Sequence, residues 1–278
     1  IAIAGQNPGT NHPRMLSILE KAKGNGAQII AVNPLPEAGL MRFKDPQKVH
    51  GVIGDGVPIA DEFVQIRLGG DMALFAGLGR LLLEADDRAP GTVVDRDFVA
   101  AHSAGFADYE RRTRAVDLTE VAEATGIDRA QLERVAARMA GAQRIVVCWA
   151  MGLTQHKHAV PTISEISNVL LMRGMIGKPG AGLCPVRGHS NVQGDRTMGI
   201  WEKMPETFLT ALDDRFGISS PREHGLDTVD AIRAMRDGKA RVFMAMGGNF
   251  ASATPDTVVT EAALRKCALT VQVSTKLN

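Results

Sequence analysis

The first residues, IAIAGQNPGTNHPRMLSILEKAKGNGAQIIAVNP (Ile1–Pro34), hold one complete unit of the pattern that decides the fold. Ile1–Ala4 is apolar throughout, as a strand covered on both faces must be. GQNPGTNHP is turn-rich. Met15–Lys23 then sets Met15, Ile18, Leu19 and Ala22 at helical spacing, and AQIIAVNP is a second apolar strand. Strand, glycine-bearing turn, helix and strand make the βαβ unit of a parallel sheet.

Outward from this unit, residues 34–58 read mostly as loop, and EFVQIRL (62–68) reads as a third strand. Asp71–Glu84 predicts a helix, with Asp71 as its cap and Met72, Leu74, Phe75, Leu78, Leu81 and Leu82 on a broad apolar face. Residues 95–140 predict a helical insert, with Asp128 as an N-cap and Gly126 and Gly141 as terminators. RIVVCWAMG (144–152) is a buried strand. TISEISNVLLMRG (162–174) is a helix with Pro161 near its first turn and Ile163, Ile166, Val169 and Leu170 on one face. Further on, PETFLTALDDRFG, TVDAIRAMRDG and TPDTVVTEAALRKC predict helices, and ARVFMAMGGN and ALTVQVS predict strands. No internal repeat stands out. The fold class is α/β, with two Rossmann-like open parallel-sheet units. The chain divides near 185–200, within PVRGHSNVQGDRTMG (185–199).

Composition narrows the function. A net charge of +1 with 23% charged residues gives no basic face for nucleic acid. No apolar run is long enough to span a membrane, and there is no signal peptide. Cys148, Cys184 and Cys267 lie far apart with no CxxC pair, so they build neither an iron–sulfur site nor a zinc ribbon alone. Scattered free cysteines fit a reducing compartment, the cytoplasm. The chain opens on Ile inside a strand, which predicts a fragment of a larger multi-domain subunit.

Open parallel sheets bind ligands past the carboxyl ends of their strands. The segments there are GQNPGTNHP, Asn33-Pro34, Gly69–Asp71, MGLTQHKH, MGGN and STKLN. They are rich in amide, hydroxyl and backbone donors and poor in carboxylates, which suits a large ligand with phosphates and a base. GQNPGT is not GxGxxG, and Asn33 stands where a nicotinamide enzyme carries an acidic residue. There is no phosphate-binding GxxxxGK[ST] and no GxSxG elbow. His156 and His158 are either a metal-ligand pair or residues lining the start of the next helix. The absence of a third ligand nearby favours the latter. Asp213 and Asp214 read as a solvated helix face, and Arg111, Arg112 and Arg114 as an exposed basic turn. Met172, Met175, Met198, Met204 and Met246 read as core filler.

The run WAMGLTQHKHAVPTISEISNVLLMRGMIGKPGAGLCPVRGHSNVQGDRTMG (149–199) resembles the catalytic (alpha) subunit of formate-dehydrogenase-like molybdopterin oxidoreductases. The motifs GQNPGTNHP, VNP, IRLGGDMALFAGL, MGGNFASATPD and VQVSTKLN follow in the family's order across nearly the whole chain. The resemblance implies a bis-molybdopterin guanine dinucleotide cofactor with molybdenum or tungsten. It also implies one dinucleotide-binding domain over 1–187 and the start of a second over 188–278. Gln6, Asn7 and Asn11 would meet one dinucleotide, and Asn33, Gly70 and Asp71 would surround its nucleoside end. Met151, Gly152 and Gln155 would lie nearer the pterin, with Gly188 and Ser190 also in contact. Gly247, Gly248, Asn249, Ser274 and Thr275 would serve the second dinucleotide. Arg187 matches the active-site arginine that suits an anionic substrate, with His189 beside it as a proton carrier. The family usually has Gln at the position of His189, an acidic residue at Asn33 and Arg at Leu35. Its metal ligand and a 4Fe-4S cluster belong to an upstream segment, so no metal ligand is assigned here. The implied partners are a small-molecule substrate and an electron-transfer partner. A non-catalytic cofactor-binding subunit and a general nucleotide-binding α/β protein remain open at this point.

Overall fold

The computed structural model describes residues 1–189, 191–201 and 203–276. It divides into two units, Ile1–Gly188 and His189–Asn278.

The first unit is built on a five-stranded sheet of β1 (Ala2–Ala4), β2 (Ile30–Asn33), β3 (Glu62–Gln65), β4 (Val146–Trp149) and β5 (Gly182–Pro185). The order is β3-β2-β1-β4-β5, and every pair is parallel. The alternation of side chains explains the unbroken apolar strands. Ala2, Ala4, Ile30, Val32, Val147 and Trp149 pack on one face against the helices Asp71–Arg88, Arg129–Gly141 and Ala159–Met172. Ile3, Ala31 and Cys148 pack on the other face against Leu16 and Leu19 of the helix Pro13–Gly24. Both faces are therefore covered, as parallel sheets require.

The insert between β3 and β4 consists of the long helix Asp71–Arg88 followed by Arg96–His102, Phe106–Arg114, Leu118–Thr125 and Arg129–Gly141. Asp128 caps the last of these through Gln131 N–H (2.7 Å), and Gly126 ends the one before it at φ +73. Two boundaries differ from the sequence reading. Gly70, not Asp71, holds the N-cap position of the long helix, so Asp71 is its first helical residue. Gly141 is the last residue of its helix, with Ala142 at the C-cap.

A buried arginine ties the far end of the insert together. The Arg173 guanidinium donates to the carbonyls of Ala142 (2.8 Å), Ala140 (3.0 Å), Met139 (3.2 Å) and Val93. It satisfies the carbonyls at the end of Arg129–Gly141, which have no partner within their own helix.

In the second unit, β6 (Val242–Met246) and β7 (Leu269–Val273) pair in parallel, with Val242 opposite Leu269 and Met246 opposite Val273. Phe243 packs with Ile232, Met235 and Ala263 of the helices Thr228–Arg236 and Thr257–Leu264. Among the expected core methionines, Met172 and Met175 are buried, but Met198 and Met246 are 79% and 81% exposed. Met246 lies on the strand face opposite Phe243 and Ala245, and Met198 ends a short helix in the glycine-rich stretch. Asp213 is not simply solvated: it pairs with Arg222 (2.5 Å). Arg114 likewise makes two hydrogen bonds to Asp87, at 2.7 and 3.0 Å. No helix among the described residues is long and apolar enough to cross a membrane.

Candidate functional site

The strand order reverses between β1 and β4, which leaves a crevice beyond their carboxyl ends. Two glycines form its floor. Gly5 follows β1 with φ +57, and its carbonyl accepts from Gly152 N–H at 3.0 Å. A Cβ on Gly152 would stand 2.4 Å from that same carbonyl, and one on Gly5 would stand 2.5 Å from Leu153 Cδ1. Only glycine at both positions allows the two chain segments to meet here.

The next residue links β1 to β2. Gln6 N–H donates to Asn33 Oδ1 (3.1 Å), and Asn33 Nδ2 donates back to Gln6 O (3.0 Å). Both residues are buried. Gln6 Nε2 donates to Met15 Sδ (3.1 Å) and lies 3.4 Å from His12 Nδ1. Gln6 Oε1 is buried with no hydrogen-bond partner among the described residues. Such an acceptor is costly to leave unmade.

His12 extends the network. Its Nε2 is 3.1 Å from the Arg187 carbonyl, which can only accept, so the proton sits on Nε2 and Nδ1 faces Gln6 as an acceptor. Among the described residues, the exposed Arg187 guanidinium has no carboxylate within ion-pair distance. It is free to meet an anion.

Asn7 caps the short helix Pro8–Asn11 through Thr10 N–H (3.1 Å), and its Nδ2 donates to Glu37 Oε2 (2.5 Å). Asp71 is only 7% exposed, and burial pushes its carboxyl above the usual range, against a smaller opposing pull from a hydrogen bond to its own backbone N–H and from His156. Gln6, Asn7, Asn11, Asn33, Asp71 and Gly152 line one cavity of about 250 Å³, together with Glu37 and His156. Larger cavities of about 680, 1010 and 660 Å³ elsewhere in the first unit contain none of the site residues named from sequence.

The remaining named residues fall outside that cavity. A Cβ on Gly70 would sit 3.0 Å from Thr125 Cα, so this glycine serves packing against the helix Leu118–Thr125. Met151 and Gln155 are exposed on and just after the turn Met151–Thr154. Gly188 lies near Met151, whose Sδ is 4.0 Å from where its Cβ would be. Ser190 lies outside the described residues. His189 opens the second unit. His156 and His158 gain no third ligand: no group of three His, Cys, Asp or Glu among the described residues is placed to hold a metal.

The second unit carries a loop of the same construction. Gly247 (φ +66) follows β6, and Asn249 caps the short helix Phe250–Ala253 through Ser252 N–H (3.4 Å). Asn249 has φ −112 and ψ 84, against φ −113 and ψ 87 for Asn7. Strand, left-handed glycine, one residue, capping asparagine and a four-residue helix thus occur twice. The sequence hides this repeat, because GQNP and GGNF share only Gly and Asn. Gly247 N–H donates to Val273 O (2.9 Å), and Gln272 Nε2 donates to Gly248 O (3.2 Å). Ser274 and Thr275 follow β7, so they lie at the same sheet edge as Gly247, Gly248 and Asn249.

No family model matches the chain. An oxidoreductase of Mycobacterium tuberculosis is 79% identical over 278 residues, covering all of this chain and 36% of the relative. Formate dehydrogenase H of Escherichia coli is 29% identical over 208 residues, covering 75% of this chain and 26% of that enzyme. The relatives that this chain matches are named oxidoreductases, and formate dehydrogenase H is among the more distant of them. Among solved structures, acetylene hydratase from Pelobacter acetylenicus shares the fold, with a TM-score of 0.62 at 18% identity over 98% of this chain and 38% of that one. The chain spans about a third of the length of the curated relatives it matches. Sequence reading missed three of its site residues. His12, Glu37 and the lining role of His156 arise from contacts between distant segments; His12 and His156 lie in strand-end segments that the sequence marks, GQNPGTNHP and MGLTQHKH, and Glu37 has no such local signal.

Proposed function

We propose that this chain is the central cofactor-binding portion of a molybdenum-dependent oxidoreductase resembling formate dehydrogenase, acting on a small anionic substrate. The observation that carries this reading is the repeated strand–glycine–asparagine–helix loop. Each loop by itself is the kind of cradle that one arm of a bis-molybdopterin guanine dinucleotide would use. The donor set fits the group. Gln6 Oε1 is an orphaned acceptor on a residue that lines the cavity, suited to a base or ribose donor, and the close Gly5–Gly152 contact holds two backbone segments together at the cavity wall. When bound, the cofactor supplies a two-electron redox centre.

The chain's own residues then bind, orient and carry protons. Gln6, Asn7 and Asn11 hold one dinucleotide arm. Asn33 and Asp71 would meet its nucleoside end, where the Asp71 carboxyl can accept from a base or ribose without opposing the phosphates. Met151, Gly152, Gln155 and Gly188 would hold the pterin, and Ser190, named with them from the sequence, lies outside the described residues. Gly247, Gly248, Asn249, Ser274 and Thr275 hold the other arm. Arg187 orients the substrate anion through its fixed fork of donors, and His189 relays a proton. An upstream segment supplies the metal ligand and an iron–sulfur cluster, and an electron-transfer partner takes the electrons singly. The free cysteines suit a cytoplasmic setting.

The test uses the full-length protein expressed in a cofactor-competent host. Molybdenum (or tungsten) and a guanine-containing pterin should co-purify. Arg187→Ala should abolish turnover while the metal content stays. A preparation free of metal and pterin refutes the proposal.

A further inference from the structure

Two of the three cysteines are direct cross-strand neighbours. Cys148 on β4 is in register with Cys184 on β5, so the two side chains leave the sheet on the same face. Both belong to the apolar cluster around Ile3 and Leu16. Adjacent strands run about 4.8 Å apart, inside the roughly 4.4–6.8 Å between Cα atoms that a disulfide bridges. The backbone is anchored just beyond the pair, where Val186 N–H donates to Trp149 O at 2.8 Å.

We propose that Cys148 and Cys184 form a reversible disulfide across β4 and β5, a thiol-modification site three residues from Arg187. The division of labour follows from position. Cys184 lies on the edge strand and is half-buried, so a peroxide reaches it first. Cys148 is 4% exposed, and burial together with the neighbouring Cys184 pushes its thiol up to about 12. The Cys184 thiolate attacks one oxygen of hydrogen peroxide, the O–O bond breaks, and hydroxide leaves. The Cys148 sulfur then attacks the Cys184 sulfenic sulfur, and its proton departs with the sulfenic hydroxyl as water. Two thiols and one peroxide thus become one disulfide and two waters. The half-buried edge-strand sulfur of Cys184 is open to a dithiol, which returns the pair to two thiols.

The test is peptide mapping of the full-length protein after brief treatment with hydrogen peroxide, quenched in denaturant with an alkylating agent. The expected product is a peptide pair joined through Cys148 and Cys184, lighter by two hydrogens and restored by dithiothreitol. Cys267, whose nearest polar partner is Ala240 O at 3.8 Å, stays alkylated. Cys148→Ala should leave Cys184 as a sulfenic acid that dimedone traps, and Cys184→Ser should leave Cys148 reduced. Full alkylation of both cysteines after oxidant overturns the proposal. So does oxidation of Cys184 in the unsubstituted protein without a link to Cys148.

Discussion

The Asn33 side chain and the Gln6 backbone close a two-bond ring, at 3.1 and 3.0 Å, that locks the end of β1 to the end of β2. The ring needs both a donor and an acceptor at position 33. An acidic residue there would accept but would not donate while ionised. Asn33→Asp should therefore leave Gln6 O facing a buried carboxylate. The cost is about 1–3 kcal/mol, that of a buried group left unmade. Thermal unfolding at neutral pH should show a midpoint lower by several degrees. Part of the loss should return in acid, where the protonated carboxyl donates again.

Gly152 and Gly141 predict opposite responses to the same substitution. A Cβ at Gly152 meets the Gly5 carbonyl and Cα, which are backbone and do not swing aside. Gly152→Ala should cost about 1–3 kcal/mol. At Gly141, the last residue of its helix, a Cβ meets nothing within 4 Å. Gly141→Ala should be neutral or stabilising by about 0.5–1 kcal/mol, because alanine restricts the unfolded chain. Urea unfolding of both variants checks the pair.

Burial raises the Asp71 carboxyl, so the sign of its pH effect is fixed. The native state binds a proton at a pH where the unfolded chain has already lost it. Stability contributed by this group is therefore full below the unfolded value of 3.8 and falls as pH rises through the native value. Asp71→Asn removes the penalty. The variant should be the more stable protein at pH 7, and its advantage should vanish as pH drops below 4. An advantage independent of pH would point to packing instead of charge.

Arg173 bridges Val93 to the end of the helix Arg129–Gly141 with a planar fork. A lysine ammonium is a point donor and cannot reach several separated carbonyls at once. Arg173→Lys should recover little of the stability lost in Arg173→Met. Each should cost more than about 2 kcal/mol, since several carbonyls lose a charged donor together. Chemical denaturation of the two variants side by side gives the comparison.

How much of this was legible in advance depended on the range of each interaction. β1, β2 and β4 were readable because burial on both faces demands unbroken apolar residues. β5 was not: GLCP is short, opens on a glycine at φ +130 and ends on a proline. An edge strand tolerates that proline because one side needs no ladder partner. The residues after each strand were readable because connections there must turn. The His12–Arg187 contact spans 175 residues, and Asn7–Glu37 spans 30, so no local pattern encodes either. The repeated loop is held by two dihedral angles and one cap, and those survive while the sequence changes.

Gln6 separates a fold role from a ligand role. Its side chain holds Met15 Sδ and His12 Nδ1 through Nε2, both weak partners, while Oε1 has none. Gln6→Met keeps the length and apolar stem but deletes the orphan acceptor together with Nε2. In the cofactor-free chain the change should be small, within about 1 kcal/mol, because an unmade acceptor is removed as weak bonds are lost. If Oε1 is kept for the proposed dinucleotide, the loaded protein loses a hydrogen bond that the empty one never had. Loss of a bond worth about 1.4 kcal/mol weakens binding about tenfold. The purified full-length variant should then carry less molybdenum and pterin per chain at nearly unchanged apo stability. Equal loading with equal stability would remove Gln6 from the binding site, and a large drop in apo stability would assign it to the fold alone.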